Sequence, residues 1–354
     1  MKICYLAHVR LPTEKAHGAQ IMKTCEALSG ERVVVSLLVP GRKTSIDSDA
    51  FSYYGVSPNF EIKNLRIPDL TPFGGFALSM LLFSEAAKWQ KEFWHADVIY
   101  SRDAFVLLQY VLLGRKLVYE AHTKPTFISK IVARLAYRVV VISEGLHDAY
   151  VRAHVPRERI VVAHDAIDPD SFLRTYNPHT VRRDLGIPFD KRVVLYVGRI
   201  DRAKGVETLA RASELLPEDT QIVIIGDGPE KGVLQEMFPR VLFLPQTPYR
   251  DIGKVLSAAD ILVLPNSGAD IDASRYTSPL KAFAYLASGK PIVASDVPAL
   301  RAICEKNTSF FTPDDSRALV KAILHPPLPL PLDPRQYSWS VRARSILQGL
   351  SYRA

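Results

Sequence analysis

Three cysteines in 354 residues, Cys4, Cys25 and Cys304, are too few and too far apart for a disulfide framework or for metal or redox spacing. They read as reduced structural thiols of a cytosolic chain. No apolar run reaches the roughly 18–20 residues that a membrane span needs. The nearest is Pro72-Phe-Gly-Gly-Phe-Ala-Leu-Ser-Met-Leu-Leu-Phe83, which runs on into Glu85 and Lys88. No leader is expected before the first strand, since the Lys-Ile-Cys-Tyr-Leu-Ala run starts at residue 2. The Gly-x-Gly-x-x-Gly fingerprint is missing after the first strand of either half, which weighs against a dinucleotide cofactor. A Gly-x-x-x-x-Gly-Lys-Ser/Thr loop is missing too, which weighs against an ATPase.

What is present describes an ordinary globular chain, 47% hydrophobic and 23% charged, long enough for two domains. A formal charge of +8 favours anionic partners, whether sugar nucleotides, lipid headgroups or nucleic acid. The basic residues are spread along the chain rather than clustered with aromatics, so nucleic acid is not the expected partner.

Strand and helix patterns alternate from the start. A short buried strand is expected at Ile3–Ala7 and further strands at Val33–Leu38, Phe60–Ile67, Val98–Arg102, Leu117–His122, Val139–Ser143 and Ile160–His164, with a helix over about Gly75–Phe93. A polar break at 165–180 precedes a second series at Val193–Val197, Gln221–Ile225, Val241–Leu244, Ile261–Pro265 and Pro291–Ser295. Such alternation predicts two Rossmann-like parallel sheets, placed at 1–167 and 168–335, with a ligand crevice between their strand ends. A proline-dense linker, His325–Pro334, leads to a last helix within 336–354.

Chemistry collects in the second half. The stretch Tyr276–Asp296 reads as loop, helix and strand, with Ser278 as N-cap, Pro279 in the first helical position and Gly289 as left-handed C-cap. Its helix start suits a phosphate or sugar hydroxyls, or is one more α/β unit. Arg199 and Lys204 lie in Gly198-Arg-Ile-Asp-Arg-Ala-Lys-Gly205 at a strand's carboxyl end, either as a fork and a point charge for two phosphates or as surface cations. Gly226-Asp-Gly-Pro229 reads as a phosphate loop or a tight strand-to-helix turn.

Taken together, Gly198-Arg…Lys204-Gly, Gly226-Asp-Gly-Pro, Ala258-Ala-Asp-Ile-Leu-Val-Leu-Pro265 and Gly289-Lys-Pro-Ile-Val-Ala-Ser-Asp296 resemble the C-terminal domain of family-four glycosyltransferases (glycosyl transferases group 1) of the GT-B fold. Val9–Gly18, Val118-Tyr-Glu-Ala-His122, Val141-Ile-Ser-Glu-Gly-Leu146 and Asp165-Ala-Ile-Asp168…Phe172 extend the resemblance over nearly the whole chain. It implies transfer of a sugar from a nucleoside-diphosphate donor to a hydroxyl acceptor, with retention of anomeric configuration, in glycan, lipopolysaccharide or glycolipid synthesis. Arg199 and Lys204 then hold the donor diphosphate and His122 faces the donor sugar. Gly18, Gly198, Gly226, Thr277, Ser278, Pro279 and Leu280 line the donor site. No cofactor is implied beyond the nucleotide sugar itself. Two cations on the leaving group make a metal unnecessary, and the one Asp-x-Asp spacing, Asp168-Pro-Asp170, falls where the family has its hinge aspartate. The resemblance also returns the last helix, led by Tyr337-Ser-Trp339, to the N-terminal domain.

The chain departs from the family at two glutamates, whose positions here are Tyr276 and Ala284. Members with a Tyr-Thr-Ser-Pro-Leu-Lys loop also lack the first. Loss of the second, a ribose partner, raises the alternative of a degenerate sugar-nucleotide-binding or assembly subunit. The acceptor is expected on the N-terminal domain. Phe73, Phe76, Met80, Leu81, Leu82 and Phe83, beside Lys88 and Lys91, fit a lipid-linked acceptor or peripheral contact at the inner membrane face, or a core-facing helix.

Overall fold

The computed structural model describes residues 1–44, 46–68, 75–248, 251–270, 274–276, 280–304 and 308–351. The chain divides into two compact units, Met1–His164 together with Trp339–Ala354, and Asp165–Ser338.

The first unit holds a seven-stranded parallel sheet of β1 (Lys2–Leu6), β2 (Val34–Pro40), β3 (Glu61–Leu65), β4 (Val98–Ser101), β5 (Leu117–Ala121), β6 (Arg138–Val141) and β7 (Ile160–Val162). Its spatial order is β3-β2-β1-β4-β5-β6-β7. The second unit holds β8 (Arg192–Val197), β9 (Thr220–Ile225), β10 (Leu242–Leu244), β11 (Ile261–Leu264), β12 (Ile292–Ser295) and β13 (Thr308–Phe311), in the order β10-β9-β8-β11-β12-β13. Central strands such as β4, β5, β6, β11 and β12 are buried at every residue, which is why they read as unbroken apolar runs. The edge strand β13 was not foreseen, because Thr308-Ser-Phe-Phe311 offers only two apolar residues. In both sheets the order reverses beside the first strand, between β1 and β4 and between β8 and β11. Ligands of open α/β sheets bind at the strand carboxyl ends at such points.

Four helices bear on the strand-end regions: α1 (Ala16–Gly30), α2 (Phe76–Lys88), α3 (Leu280–Ser288) and α4 (Trp339–Ser351). The helix expected over 75–93 stops at Lys88, where Trp94 Nε1 donates to the Lys88 carbonyl at 2.7 Å and Gln90 Nε2 to that of Ala86 at 3.1 Å. These side chains satisfy carbonyls the helix end leaves open. One stripe of α2, with Met80 and Phe83, is core, while Phe76, Leu78 and Leu81 face outward. Phe73 lies outside the described residues. Helix α3 ends at Gly289 with φ +68°, the left-handed cap expected there. Among the described residues no helix is long and apolar enough to cross a membrane.

Helix α4 belongs to the first unit and packs on α1, β6 and β7. The approach needs glycine at 349, since a Cβ there lies 2.3 Å from Val161 Cγ2. Arg138 Nε donates to the Gly349 carbonyl at 2.8 Å and the Tyr137 hydroxyl to that of Leu350 at 3.0 Å, closing the helix end. Inside, Arg342 Nη2 meets Glu120 Oε1 at 2.8 Å, both side chains no more than 3% exposed. Tyr100 donates its hydroxyl to Glu120 Oε2 at 2.5 Å. Burial alone pushes the Glu120 carboxyl up, but Arg342, His122 and Arg102 outweigh it and hold it well below its ordinary value of 4.5. Because the folded-state value is depressed, this stabilisation is present above the unfolded value and is lost as pH falls through the folded one. We predict that Arg342→Met lowers unfolding free energy by about 3–5 kcal/mol in urea melts at pH 7 by taking the arginine from a buried carboxylate. Glu120→Gln is predicted to weaken the acid-side loss of stability.

Candidate functional site

At the carboxyl end of β8 the chain turns through Gly198, at φ +148°, and at the end of β9 through Gly226, at φ +155°. A Cβ on Gly226 falls 1.9 Å from the Gly198 carbonyl oxygen, and one on Gly228 falls 2.1 Å from that of Ile200. The two strand ends therefore run backbone against backbone, a packing only glycine permits. Gly198 N donates to Ile225 O and Ile200 N to Asp227 O, both at 2.9 Å.

On this frame Arg199 Nε donates to Asp201 Oδ2 at 2.9 Å, with the arginine side chain 67% exposed. The other oxygen of Asp201 accepts from Lys204 N at 3.0 Å and caps the turn Arg202–Lys204. One carboxylate thus orients the Arg199 guanidinium and the backbone at Lys204, a role that its place between them in the sequence did not announce. The third cation is Lys281, in the first turn of α3. Its Nζ donates to the Tyr196 hydroxyl at 2.7 Å and stands 4.0 Å from the centre of that ring. It also lies 3.0 Å from where a Cβ on residue 198 falls, so glycine at 198 leaves the lysine its room. Tyr196 in turn donates to the Arg199 carbonyl at 2.7 Å. Burial, reinforced by the charge of Lys204 and opposed by Asp201, pushes the Lys281 ammonium well below its ordinary 10.5. One turn further along α3, the Tyr285 hydroxyl accepts from Val197 N at 2.9 Å. The sequence signal for Lys281 was a lone cation in the otherwise apolar run Leu-Lys-Ala-Phe-Ala-Tyr-Leu-Ala.

Gly198, Arg199, Lys204 and Gly226 therefore share one strand-end cluster, and Leu280 opens the helix that brings Lys281 to it. Thr277, Ser278 and Pro279 lie outside the described residues. Ala284 is 4% exposed and belongs to the apolar core of the second unit. Asp168 Oδ1 accepts from Asp170 N at 3.3 Å and its carbonyl from Ser171 Oγ at 3.2 Å, a local turn at a helix start. Among the described residues no three His, Cys, Asp or Glu side chains are grouped as metal ligands.

His122 and Gly18 belong to the first unit. The His122 Nε2 lies 2.6 Å from Glu120 Oε1. Since that carboxylate is ionised and only accepts, Nε2 carries the proton. Gly18 sits in the first turn of α1, where a Cβ falls 2.2 Å from the Tyr54 hydroxyl. That hydroxyl accepts from Thr13 N at 2.7 Å and donates to Thr13 O at 2.8 Å. The space Gly18 leaves is thus used to pin the loop before α1. His122, His8, His17, Arg42, Arg102 and Asp103 are among the walls of a cavity of about 620 Å³ at the carboxyl ends of β1 and β4.

Known proteins share both units. Residues 191–325 match the family described as Glycosyl transferases group 1, and residues 18–171 match Glycosyltransferase Family 4. TuaC of Bacillus subtilis, a glycosyltransferase ascribed to teichuronic acid biosynthesis, is 32% identical over 144 residues, 40% of this chain and 35% of its own. The D-inositol 3-phosphate glycosyltransferase of Mycobacteroides abscessus is 30% identical over 192 residues, 50% of this chain and 41% of its own. The chain thus matches well under half the length of either relative. The structure of HepE from Anabaena, in complex with UDP and glucose, shares the fold over the full length of both chains with a TM-score of 0.73 at 18% identity. With each of its two Rossmann-like units matched in sequence and the whole matched in fold, the chain belongs to the family-four glycosyltransferases and has the GT-B architecture.

Proposed function

We propose that this protein transfers a sugar from a nucleoside-diphosphate donor to a hydroxyl acceptor, with retention at the anomeric carbon and without a metal, in the synthesis of a glycan, lipopolysaccharide or glycolipid. The observation that carries this reading is the strand-end cluster of the second unit. There a backbone stripped of side chains at Gly198, Gly226 and Gly228 meets Arg199, Lys204 and Lys281. As the bond from anomeric carbon to diphosphate oxygen breaks, negative charge grows on the leaving diphosphate, and fixed cations lower the barrier by stabilising it. Lys281 adds a cation whose charged form is disfavoured by burial and by Lys204. His122 is assigned to the donor sugar, with Glu120 fixing its ring and proton. We place the protein in the cytoplasm, acting on a glycan or lipid-linked acceptor. The outward Phe76, Leu78 and Leu81 of α2 support contact with a membrane surface.

A thermal-shift panel of UDP, GDP, ADP and CDP tests the donor reading, with UDP leading it because HepE holds UDP. The matching nucleotide is expected to bind, and its sugar conjugates to be slowly hydrolysed. Arg199→Ala and Lys204→Ala are each expected to weaken nucleotide binding by about 10–150-fold, the worth of a charge-assisted hydrogen bond of roughly 1.5–3 kcal/mol. Binding without turnover of any sugar conjugate overturns the enzyme in favour of a binding subunit.

Lys281 gives a pH signature. A bound diphosphate raises its depressed pKa, so binding takes up a proton between the free and bound values, and affinity falls as pH rises through that window. Calorimetry in buffers of different ionisation enthalpy should detect this uptake, and Lys281→Met should abolish it. Flotation with anionic liposomes at low and high salt checks the membrane contact, which absence of binding at both salts removes.

A further inference from the structure

Three side chains meet the carboxylate of Glu120, each from a different part of the first unit. Arg342 of α4 donates from Nη2 to Oε1 at 2.8 Å, and His122, just past β5, reaches the same oxygen from Nε2 at 2.6 Å. Tyr100 of β4 takes Oε2 at 2.5 Å, and its ring is stacked on that of Tyr5 in β1, with centroids 4.9 Å apart. Of the three partners His122 alone borders the cavity of the first unit, with 16% of its side chain exposed.

A buried ion pair is a weak device for stability, because taking two charges out of water costs about as much as their attraction returns. Apolar side chains of similar volume fill such a place as well. Arg342 and Glu120 are both buried, so the pair asks for another reason, and the shared oxygen supplies one. Without Arg342 the donors left on Glu120 are a phenol and an imidazole, neither of which carries a fixed charge. A carboxylate so placed takes up a proton more readily, and the neutral hydrogen bond it then makes with an imidazole is roughly half as strong. The other titratable groups around Glu120 do not replace the arginine. Arg102, after β4, favours the carboxylate less than Arg342 and His122 do. Tyr5, Tyr100 and Cys25 of α1 are pushed up by burial and by the charge of Glu120, and so stay neutral.

We propose that Arg342 is a positioning residue for the transfer: from a buried position, and through Glu120, it fixes the ring and the Nε2–H tautomer of His122. Its part in transfer rests on the transferase reading. Its control of His122 does not.

Nitrogen-15 NMR of the histidine-labelled full chain, without nucleotide, reads the tautomer. The wild type and Arg342→Lys are expected to keep His122 as Nε2–H near neutral pH, and Arg342→Gln to show a mixture of tautomers. In the pH profile of kcat/KM, Arg342→Gln should lose activity on the acid side about 1–3 pH units above the wild type, the worth of a neighbouring opposite charge. The sign follows from the cause, since removing the cation raises the Glu120 value and the hold on His122 is lost as pH falls through it. Glu120→Gln should loosen the tautomer at every pH and show no such acid-side loss. Ile346→Ala deletes a buried side chain of the same helix, and should leave tautomer and profile as in the wild type. An unchanged tautomer and profile in Arg342→Gln overturns the proposal, as do equal changes in Ile346→Ala. Should Arg342→Gln not fold, a wild-type tautomer in Glu120→Gln overturns it instead. A tautomer that follows Arg342 in a protein that turns over no nucleotide sugar upholds the control of His122 and sinks only the transferase reading.

Discussion

Reversal of strand order in each parallel sheet leaves two neighbouring strand ends whose following chains run to opposite faces, and the rest of this structure is arranged around that gap. In the second unit the gap between β8 and β11 is closed by backbone, with Gly205 against the carbonyl of Pro265, where a Cβ falls 2.0 Å from the oxygen, and Ser267 N donating to Ala203 O at 3.1 Å. In the first it is stitched by hydrogen bonds, Ser101 Oγ to Leu6 O at 2.8 Å and His8 N to Asp103 Oδ2 at 3.3 Å. Cations stand at both, Arg42 and Arg102 in the walls of the first unit's cavity and Arg199 and Lys204 after β8 in the second.

Holding those cations in place takes anions that do not consume them. Asp201 does so in the second unit by dividing its two oxygens between the Arg199 side chain and the Lys204 backbone. Glu120 has a comparable part in the first unit, with one oxygen shared by Arg342 and His122 and the other taken by Tyr100. Its ionisation, at a residue 2% exposed, depends on Arg342 of the final helix. The orientation of His122 therefore depends on α4 being docked, which ties a wall of the first cavity to the last helix of the chain.

Much of the framework was legible because buried parallel strands announce themselves as apolar runs; all seven strands of the first sheet were expected, β3 (Glu61–Leu65) among them although it carries only two apolar residues. Glycine punctuation was legible too, at Gly198, Gly226 and Gly289, because a turn or cap demanded it. The features that escaped share a cause, namely dependence on partners distant in sequence. The cations at positions 10, 15, 42, 43 and 102 look scattered until β1, β2 and β4 bring their carboxyl ends side by side. Gly18 reads as a loop glycine until Tyr54 fills its space. Lys281 reads as one charge on an amphipathic helix until Tyr196, 85 residues earlier, receives it. β13 escaped for a different reason, since a short half-buried edge strand needs no apolar run.

The departure at Ala284 acquires a physical sense from Lys281. Residues three apart on a helix are neighbours, so a glutamate at 284 stands within reach of the Lys281 ammonium and favours its protonation. Alanine removes that partner and gives its volume to the core. Around Lys281 there remain, among the described residues, the repelling Lys204, the Tyr196 phenol and Asp201, which opposes the effect of burial. A cation without a resident counter-ion is poorly matched to an empty site and well matched to one that a diphosphate enters.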